Sequence, residues 1–283
     1  MIDSGFAERL FAGRWIAGPG IDDAVREAKK FNRAGVKAII NYLGEEFHSK
    51  EDVAEATDVI MRAISAIKAN RIKADISVKP TQLGLLVGKQ VFLSNLRKLA
   101  REAKKAGVFL WIDMEEPETV DSVVDAYASE FAGKEVGLCV QSYLRRSAED
   151  LRLLARHGAV VRLVKGAYSL SHATYSTHEE ITRNYLLLMQ YLFGHSKRFT
   201  LATHDLDIIE KALKLNARYK RDVTYAMLKG VRNRYLKDLA ARGENASVYI
   251  PFGDKWVSYS YRRLREAGHL SLIVKSLFER QGV

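Results

Sequence analysis

The stretch NLRKLAREAKKAGVFLWIDMEE, residues 95–116, changes its hydrophobic pattern halfway along. Residues 95–107 mix basic and acidic side chains with leucine and alanine at helical spacing, which predicts an amphipathic helix with one solvated face. Residues 108–116 form an apolar run that ends in acidic residues, which predicts a buried strand with carboxylates at its C-terminal end. A helix followed by such a strand is the repeating unit of a parallel sheet.

The rest of the chain repeats this unit. Predicted strands fall at 36–44, 74–80, 108–116, 135–141, 159–166, 198–205, 222–228 and 246–253, with helical stretches between them such as 51–70, 91–106, 147–157, 178–195 and 206–217. Eight such units in about 250 residues predict an α/β fold, a closed (β/α)8 TIM-type barrel. A doubly wound sheet is the alternative, but no G-x-G-x-x-G turn follows any of these strands. We expect a single domain over residues 1–283, with an extra N-terminal helix at 21–34 and a C-terminal helix at 270–279.

Composition narrows the class of protein. The 283 residues are 47% hydrophobic and carry a formal net charge of +11. No apolar run approaches the roughly 18 residues of a membrane span, and charges interrupt the N-terminal segment where a signal peptide would be apolar, so we expect a cytoplasmic protein. The basic residues are mixed with acids and are not interleaved with aromatic residues, which argues against nucleic acid as a partner. A lone cysteine, Cys139, in an apolar run predicts a buried, inert thiol and no thiolate metal site.

Polar residues recur where the predicted strands end. The chemistry of such barrels lies at the C-terminal ends of the strands, because the following loops line one open face. The residues at those ends are Glu45, Lys79, Asp113, Glu115, Gln141, Arg162, Lys165, Thr203, His204, Asp205, Leu228 and Tyr249. Taken singly, Lys79 could begin a loop and His204 could be a hydrogen-bonded core histidine. Arg162 is harder to explain by packing, since a guanidinium in a buried strand needs acceptors.

Two further features predict anion binding. Arg162 and Lys165 precede Gly166-Ala167, small residues that allow a ligand to approach the backbone, which favours a phosphate or anionic cofactor. In YSYRRLRE, residues 259–266, helical spacing places Tyr259, Arg262, Arg263 and Glu266 on one face of a helix that follows the last strand. Planar guanidinium groups suit the bidentate capture of a carboxylate.

Six motifs together resemble one enzyme family. They are SVKPTQLG (77–84), WIDMEE (111–116), CVQSYLRRS (139–147), VRLVKGAY (161–168), ATHD (202–205) and VYIPFGDKWVSYSYRRLRE (248–266). In this order they resemble proline dehydrogenase of the short, monofunctional kind, along nearly the whole chain. The resemblance implies a flavin-containing (β/α)8 barrel that oxidises L-proline to Δ1-pyrroline-5-carboxylate, the first step of proline catabolism.

The resemblance also implies roles for individual residues. The catalytic residues it implies are Asp113, beside the substrate lysine, and Arg162, against the flavin ring. The substrate-binding residues are Lys79, Arg262 and Arg263 as a carboxylate clamp, with Tyr249, Tyr259 and Leu228 around the proline ring. The cofactor-binding residues are Met114, Gln141, Lys165, Gly166, Ala167, Thr203, His204 and, at the pocket edge, Glu266. After KGAY the sequence SLSHATYST lacks the aromatic or acidic residue that many relatives place there, so the adenine end of the site is not assigned.

Cofactor and partners follow from the same resemblance. It implies a nucleotide-type flavin, FAD in preference to FMN, and a quinone or other electron acceptor. The product would pass to a separate pyrroline-5-carboxylate dehydrogenase. The apolar face of the tail helix (Leu270, Ile273, Val274 and Leu277) needs a cover, either the barrel, a second subunit or lipid, which would give peripheral contact at the inner face of the membrane.

Two other functions are consistent with parts of the sequence. A lysine at a barrel strand end can form a Schiff base, so Lys79 with Asp113 as acid/base would suit an aldolase. The net positive charge would suit a nucleic-acid-binding protein.

Overall fold

The computed structural model describes residues 14–168 and 170–255 and shows a closed barrel of eight parallel strands. The strands follow chain order around the barrel, and β1 pairs with both β2 and β8. Their bounds are β1 (Lys37–Tyr42), β2 (Ala74–Val78), β3 (Leu110–Ile112), β4 (Val136–Gln141), β5 (Val160–Val164), β6 (Arg198–Ala202), β7 (Asp222–Leu228) and β8 (Asn245–Phe252). The predicted TIM-type barrel is confirmed.

Helices cover the outside of the barrel. Within the described ranges they are α1 (Ile21–Arg33), α2 (Lys50–Ala69), α3 (Lys89–Ala106), α4 (Val120–Glu130), α5 (Ser147–Arg156), α6 (His178–His195), α7 (Leu206–Tyr219) and α8 (Asn233–Ala241). Local sequence sets their ends. The Ser49 side chain accepts a hydrogen bond from the Asp52 amide at the start of α2, and Gly107, with φ 70°, ends α3 in the left-handed conformation that glycine adopts readily.

The helix α1 precedes the first strand and completes the outer layer. Its buried face, Ala24, Val25, Ala28 and Phe31, packs against β1 and β8. The helix α8 packs against β7 and β8 on the other side. The predicted N-terminal helix is therefore confirmed, and it covers the outside of the paired strands β8 and β1.

Six of the eight strands are shorter than the apolar runs that predicted them, whereas β7 and β8 have the predicted length. Within the predicted strand 108–116, only Leu110–Ile112 form β3, and residues 113–116 form the loop beyond it. Those residues are polar apart from Met114, and they leave the sheet at the open C-terminal face of the barrel. The predicted tail helix 270–279 lies outside the described residues. Across residues 14–168 and 170–255, no helix has the length and apolar character needed to span a bilayer.

The interior of the barrel has a large aromatic side chain on its axis. Trp111 packs with Ile39, Phe109 and Ala226 inside the barrel, and its indole Nε1 donates to Asp75 Oδ2 at 3.1 Å. Gly137 on β4 makes room for the indole, because a Cβ at that position would lie 2.4 Å from the Trp111 ring.

We predict that Gly137→Ala destabilises the barrel by about 1–3 kcal/mol, since the added methyl forces Trp111 and Phe109 out of place. Urea unfolding measures the change. Gly194→Ala is the matched control: Gly194 lies on the exposed side of α6 with no atom within 4 Å of a new Cβ, so alanine there should be neutral or stabilise the helix. Equal unfolding midpoints for the two variants would contradict this account of Trp111.

Candidate active site

A buried carboxylate, Asp113, lies at the centre of the C-terminal face. Its Oδ1 accepts a hydrogen bond from Ser77 Oγ at 2.7 Å and one from the Arg162 guanidinium. Its Oδ2 accepts one from the Tyr249 hydroxyl at 2.7 Å and one from Lys79 Nζ at 3.4 Å. Side chains from β2, β5 and β8, together with Lys79 just beyond β2, thus converge on one carboxylate just beyond β3. The sequence predicted four of these five residues, and the structure brings those four together.

The two cations decide the charge of this cluster. Burial alone would raise the pKa of Asp113, but Lys79 and Arg162 outweigh burial and lower it. Burial would likewise lower the pKa of Lys79, yet the neighbouring Tyr168 and Asp113 raise it well above its ordinary value. At neutral pH the cluster therefore holds one anion and two cations.

The charge on Lys79 bears on the aldolase alternative. A Schiff-base lysine must lose its proton to attack a carbonyl, and it usually has a lowered pKa. Lys79 has the opposite environment: Tyr168 Oη is 3.3 Å and Glu45 Oε2 3.9 Å from its Nζ, besides Asp113. The site suits a permanently charged lysine that binds an anion.

The guanidinium of Arg162 is fixed on several sides. Its Nε donates to Cys139 Sγ at 2.8 Å, and NH2 donates to Ser77 Oγ at 3.0 Å as well as to Asp113. The ring of Trp111 lies 5.0 Å from the guanidinium carbon and the ring of Tyr249 lies 5.5 Å from it. The third nitrogen, NH1, is buried and has no hydrogen-bond partner within the described part of the chain.

A second group of predicted residues lies at the ends of β4 and β5. Gln141 Nε2 donates to the Met114 carbonyl at 3.2 Å, while the buried Gln141 Oε1 has no partner among the described residues. Lys165 Nζ lies 3.0 Å from Asp205 Oδ2 and 3.2 Å from Thr182 Oγ1. This part of the site combines an amide with spare capacity and a cation that is already paired.

Backbone geometry makes Gly166 specific to its position. Its φ is +113°, in a region that side chains disfavour, and a Cβ would lie 2.3 Å from the Tyr143 ring. Lys165 and Ala167 flank it and are half-buried. The Tyr143 ring and the backbone conformation thus require glycine here, while the close approach of a ligand stays a prediction.

The predicted residues Thr203 and His204 connect neighbouring loops. Thr203 Oγ1 accepts from the Asp205 amide at 3.1 Å, and His204 Nε2 lies 3.0 Å from the Leu228 amide nitrogen. Because that amide donates, His204 carries no proton on Nε2. Leu228 packs beside the small apolar cluster that contains Trp15 and Val231. His204 thus has a structural hydrogen bond, whatever else it contacts.

The thiol of Cys139 is buried, as the sequence predicted, and burial raises its pKa to about 11 although Arg162 acts in the opposite direction. We predict that iodoacetamide leaves Cys139 unmodified at pH 7–8 in the folded protein and alkylates it rapidly in urea, since the thiolate is the reactive form. Mass spectrometry of the intact chain measures the modification. Rapid labelling of the folded protein at pH 7 would contradict this environment.

The amino-acid sequence matches a known protein family. The model of the family described as Proline dehydrogenase matches residues 24–275. The chain belongs to the proline dehydrogenase family. It is 33% identical to Proline dehydrogenase 1 of Bacillus subtilis (strain 168), over 97% of this chain and 93% of that protein. It is 32% identical to Proline dehydrogenase of Deinococcus radiodurans, over 90% of this chain and 86% of the relative.

Solved structures share the fold. Proline utilization A from Bdellovibrio bacteriovorus, inactivated by N-propargylglycine, superposes with a TM-score of 0.85 and 22% sequence identity over 96% of this chain. Proline utilization A of Bradyrhizobium japonicum, in its D778Y mutant, gives a TM-score of 0.78 and 23% identity over 95% of this chain. This chain spans about a third of those longer chains, 34% and 32%.

The proline dehydrogenase family is flavin-dependent, and the site's residues fit such a group. A flavin ring carries an N–H donor and several oxygen and nitrogen acceptors along its edge. Two of the buried atoms that have no hydrogen-bond partner among the described residues, Gln141 Oε1 and Arg162 NH1, are an acceptor and a donor. Gly166 has no Cβ to meet the Tyr143 ring, so that ring can lie directly against the backbone between Lys165 and Ala167. Across the described ranges, no group of three or more His, Cys, Asp or Glu residues could hold a metal ion.

Four predicted residues of the proline dehydrogenase site, Arg262, Arg263, Tyr259 and Glu266, lie outside the described residues. The structure also adds site residues that the sequence analysis did not assign: Ser77, Trp111, Cys139 and Tyr168. Ser77, Trp111 and Cys139 each stand two positions before a predicted residue, Lys79, Asp113 and Gln141. Side chains two apart on a strand share a face, so this spacing was the signal that could have found them.

Proposed function

We propose that this oxidoreductase converts L-proline to Δ1-pyrroline-5-carboxylate, with FAD in preference to FMN as its flavin. The observation that carries the proposal is the buried cluster of Asp113, Lys79 and Arg162, in which one guanidinium nitrogen has no partner in residues 14–168 and 170–255. When bound, the flavin supplies the acceptor for a hydride from the ring carbon beside the proline nitrogen. The residues of this chain bind and orient the reactants and polarise the reacting groups.

Lys79 supplies the first contact for the substrate carboxylate. It stays protonated and is held by Asp113, so its position is fixed before proline binds. Arg262 and Arg263 complete the clamp in this proposal, with Tyr249, Tyr259 and Leu228 around the ring. Holding both reactants in place can contribute several kcal/mol to the lowering of the barrier, up to about 7–11 in the best intramolecular cases.

Arg162 acts on the other side of the substrate in this proposal. Its NH1 would donate toward the reactive part of the flavin ring and favour the negative charge that builds there on reduction. Met114, Gln141, Lys165, Gly166, Ala167, Thr203, His204 and Glu266 would hold the cofactor. Lys165 would have to share its charge between Asp205 and any phosphate group of the flavin.

We further infer how the protein works with partners. Electrons would leave the flavin for a quinone or another acceptor, and the product would pass to a separate pyrroline-5-carboxylate dehydrogenase. Residues 1–283 would form one domain, supported by a family match that runs from 24 to 275 and by strands that close one barrel. A cytoplasmic location, peripheral membrane contact and oligomer formation are parts of the same proposal.

The visible spectrum of the purified protein tests the function directly. We expect a yellow protein with flavin absorption that bleaches on anaerobic addition of L-proline. D-proline is the matched control, because its carboxylate cannot reach the clamp when its reactive carbon faces the flavin in the same way. A flavin-loaded protein whose absorption L-proline leaves unchanged would contradict the proposal.

The carboxylate clamp gives a further prediction. Lysine keeps the charge of arginine but replaces a two-pronged donor by a single point. Arg263→Lys, and likewise Arg262→Lys, should keep flavin and fold but raise the proline KM about tenfold or more, a loss of about 1.4 kcal/mol. Steady-state kinetics with pyrrolidine, the same ring without the carboxylate, provide the comparison. Equal losses on both substrates would show that the arginines shape the pocket instead.

A further inference from the structure

Arg162 has five N–H donors, and its contacts account for three of them. Nε uses its one N–H on Cys139 Sγ, at 2.8 Å. NH2 uses its two on Asp113 Oδ1 and Ser77 Oγ. Both donors of NH1 lack a partner within residues 14–168 and 170–255, although the side chain is only 3% exposed. Buried donors without acceptors cost free energy, so NH1 is the nitrogen with capacity for a ligand.

The thiol of Cys139 stands in a fixed relation to this guanidinium. Cys139 and Arg162 are register partners on β4 and β5, and both side chains face the barrel interior. The sulfur also lies 3.8 Å from Asp113 Oδ1, the oxygen that receives NH2. The thiol therefore accepts from Arg162 while its S–H points toward the carboxylate that Arg162 also binds.

Hydrogen bonds to two different nitrogens fix the orientation of a planar guanidinium group, whereas hydrogen bonds to one nitrogen allow the group to rotate about it. Asp113 and Ser77 both hold NH2, and the rings of Trp111 and Tyr249 cover the guanidinium without selecting which nitrogen points outward. Among these contacts only the one to sulfur holds Nε. Without it, the guanidinium could rotate about its NH2 corner and carry NH1 away from the mouth of the barrel.

We propose that Cys139 is a positioning residue, whose sulfur holds Nε of Arg162 so that NH1 faces the ligand bound at the barrel mouth. The inference rests on the proposed function, in which that ligand is the flavin ring. The thiol is protonated at neutral pH, because burial raises its pKa to about 11. It acts as a neutral acceptor and adds no charge to the site.

Two variants of similar size separate this role from packing. Cys139→Val fills the space but has no lone pair, whereas Cys139→Ser keeps an acceptor. With flavin content equal to that of the wild type, valine should lower the stopped-flow rate of flavin reduction by L-proline about fivefold or more. It should also shift the flavin reduction potential to more negative values, since the positive charge then stabilises the reduced ring less well. Serine should stay within about twofold of the wild-type rate, close to the wild-type potential, and proline KM should change little in either.

The two proposals fail in different ways. Dye-coupled titration gives the potential without proline, so that measurement stands even if L-proline does not bleach the wild type, which would count against the proposed function alone. Valine and serine variants with equal potentials, whether both shifted or both unchanged, would overturn the role of the sulfur. If the valine variant does not fold, Cys139→Ala removes the same acceptor without adding bulk, and the same comparison with serine decides.

Discussion

Replacing Asp113 with asparagine should lower the free energy of unfolding by about 3–5 kcal/mol, because it leaves two buried cations without their shared anion. Lys79 and Arg162 both bind this carboxylate and are at most 9% exposed, so solvent cannot take over its role. Urea unfolding of the wild type and of Asp113→Asn, both freed of flavin, measures the effect. Asp58→Asn, which breaks an exposed pair with Arg62 on α2, is the control and should change the unfolding midpoint little.

The double variant Asp113→Asn/Lys79→Met makes the prediction specific. Removing one of the two uncompensated charges should restore part of the lost stability, so the double variant should be more stable than Asp113→Asn alone. Lys79→Met in the wild type should be destabilising, since the salt bridge to Asp113 is lost. If Lys79→Met destabilises equally in both backgrounds, the two charges are not coupled and the cluster does not work as described.

The pH dependence of the free energy of unfolding at acidic pH should also change in Asp113→Asn. The folded-state pKa of Asp113 lies below its ordinary value of 3.8, so its ionised form stabilises the protein above that pH. The contribution is lost as the pH falls from that value through the lowered folded-state pKa. Wild type should therefore lose stability over this range, and the part due to Asp113 should be missing from Asp113→Asn.

Arg162→Met should slow flavin reduction by proline by a factor that corresponds to about 2–4 kcal/mol in the barrier, the range for a preorganised charge that acts on the transition state. Methionine keeps much of the length and volume of the side chain but supplies no donor. Proline binding should weaken far less, because the arginine does not belong to the predicted carboxylate clamp. Rapid-mixing measurements over a range of proline concentrations separate the limiting rate from the apparent dissociation constant.

Arg162→Lys is the companion variant. It keeps a positive charge near Asp113 but cannot hold Cys139 and Ser77 at the same time, so we expect a rate between those of wild type and methionine. A methionine variant that is fully loaded with flavin and reduced at the wild-type rate would remove Arg162 from the mechanism. A variant that loses flavin without a change in rate per flavin would make it a binding residue only.

The sequence predicted the barrel because each strand is a short apolar run that ends in polar residues. The run 159–166 shows why the same pattern also found the site: its only charged residue within the buried part is Arg162, which packing does not explain. Asp113 and Lys79 were found for a related reason, since each lies just beyond the end of a strand, whereas Tyr249 was predicted at a strand end and lies within β8.

The sequence did not predict a role in the site for Ser77, Cys139 or Trp111, because each is an ordinary residue for a buried strand. Their role depends on which neighbours the barrel register brings alongside, such as the pairing of Cys139 with Arg162 across β4 and β5. Hydrophobic pattern gives the faces of a strand but not this register. The same limit applies to α1, whose helical pattern was clear but whose place against both β8 and β1 depends on closure of the sheet.

The place of α1 has a consequence for the order in which the protein is made. Because α1 precedes all eight strands and packs against β8 and β1, the whole sheet and this helix have been synthesised once Phe252 is added. Residues 253–283 still follow, and at about 5–20 residues per second their addition takes about 2–6 s. Every strand of the barrel has therefore been synthesised before Arg262 and Arg263 are added. Lys79, Asp113 and Arg162 are thus all synthesised before the two arginines that are proposed to bind the substrate carboxylate.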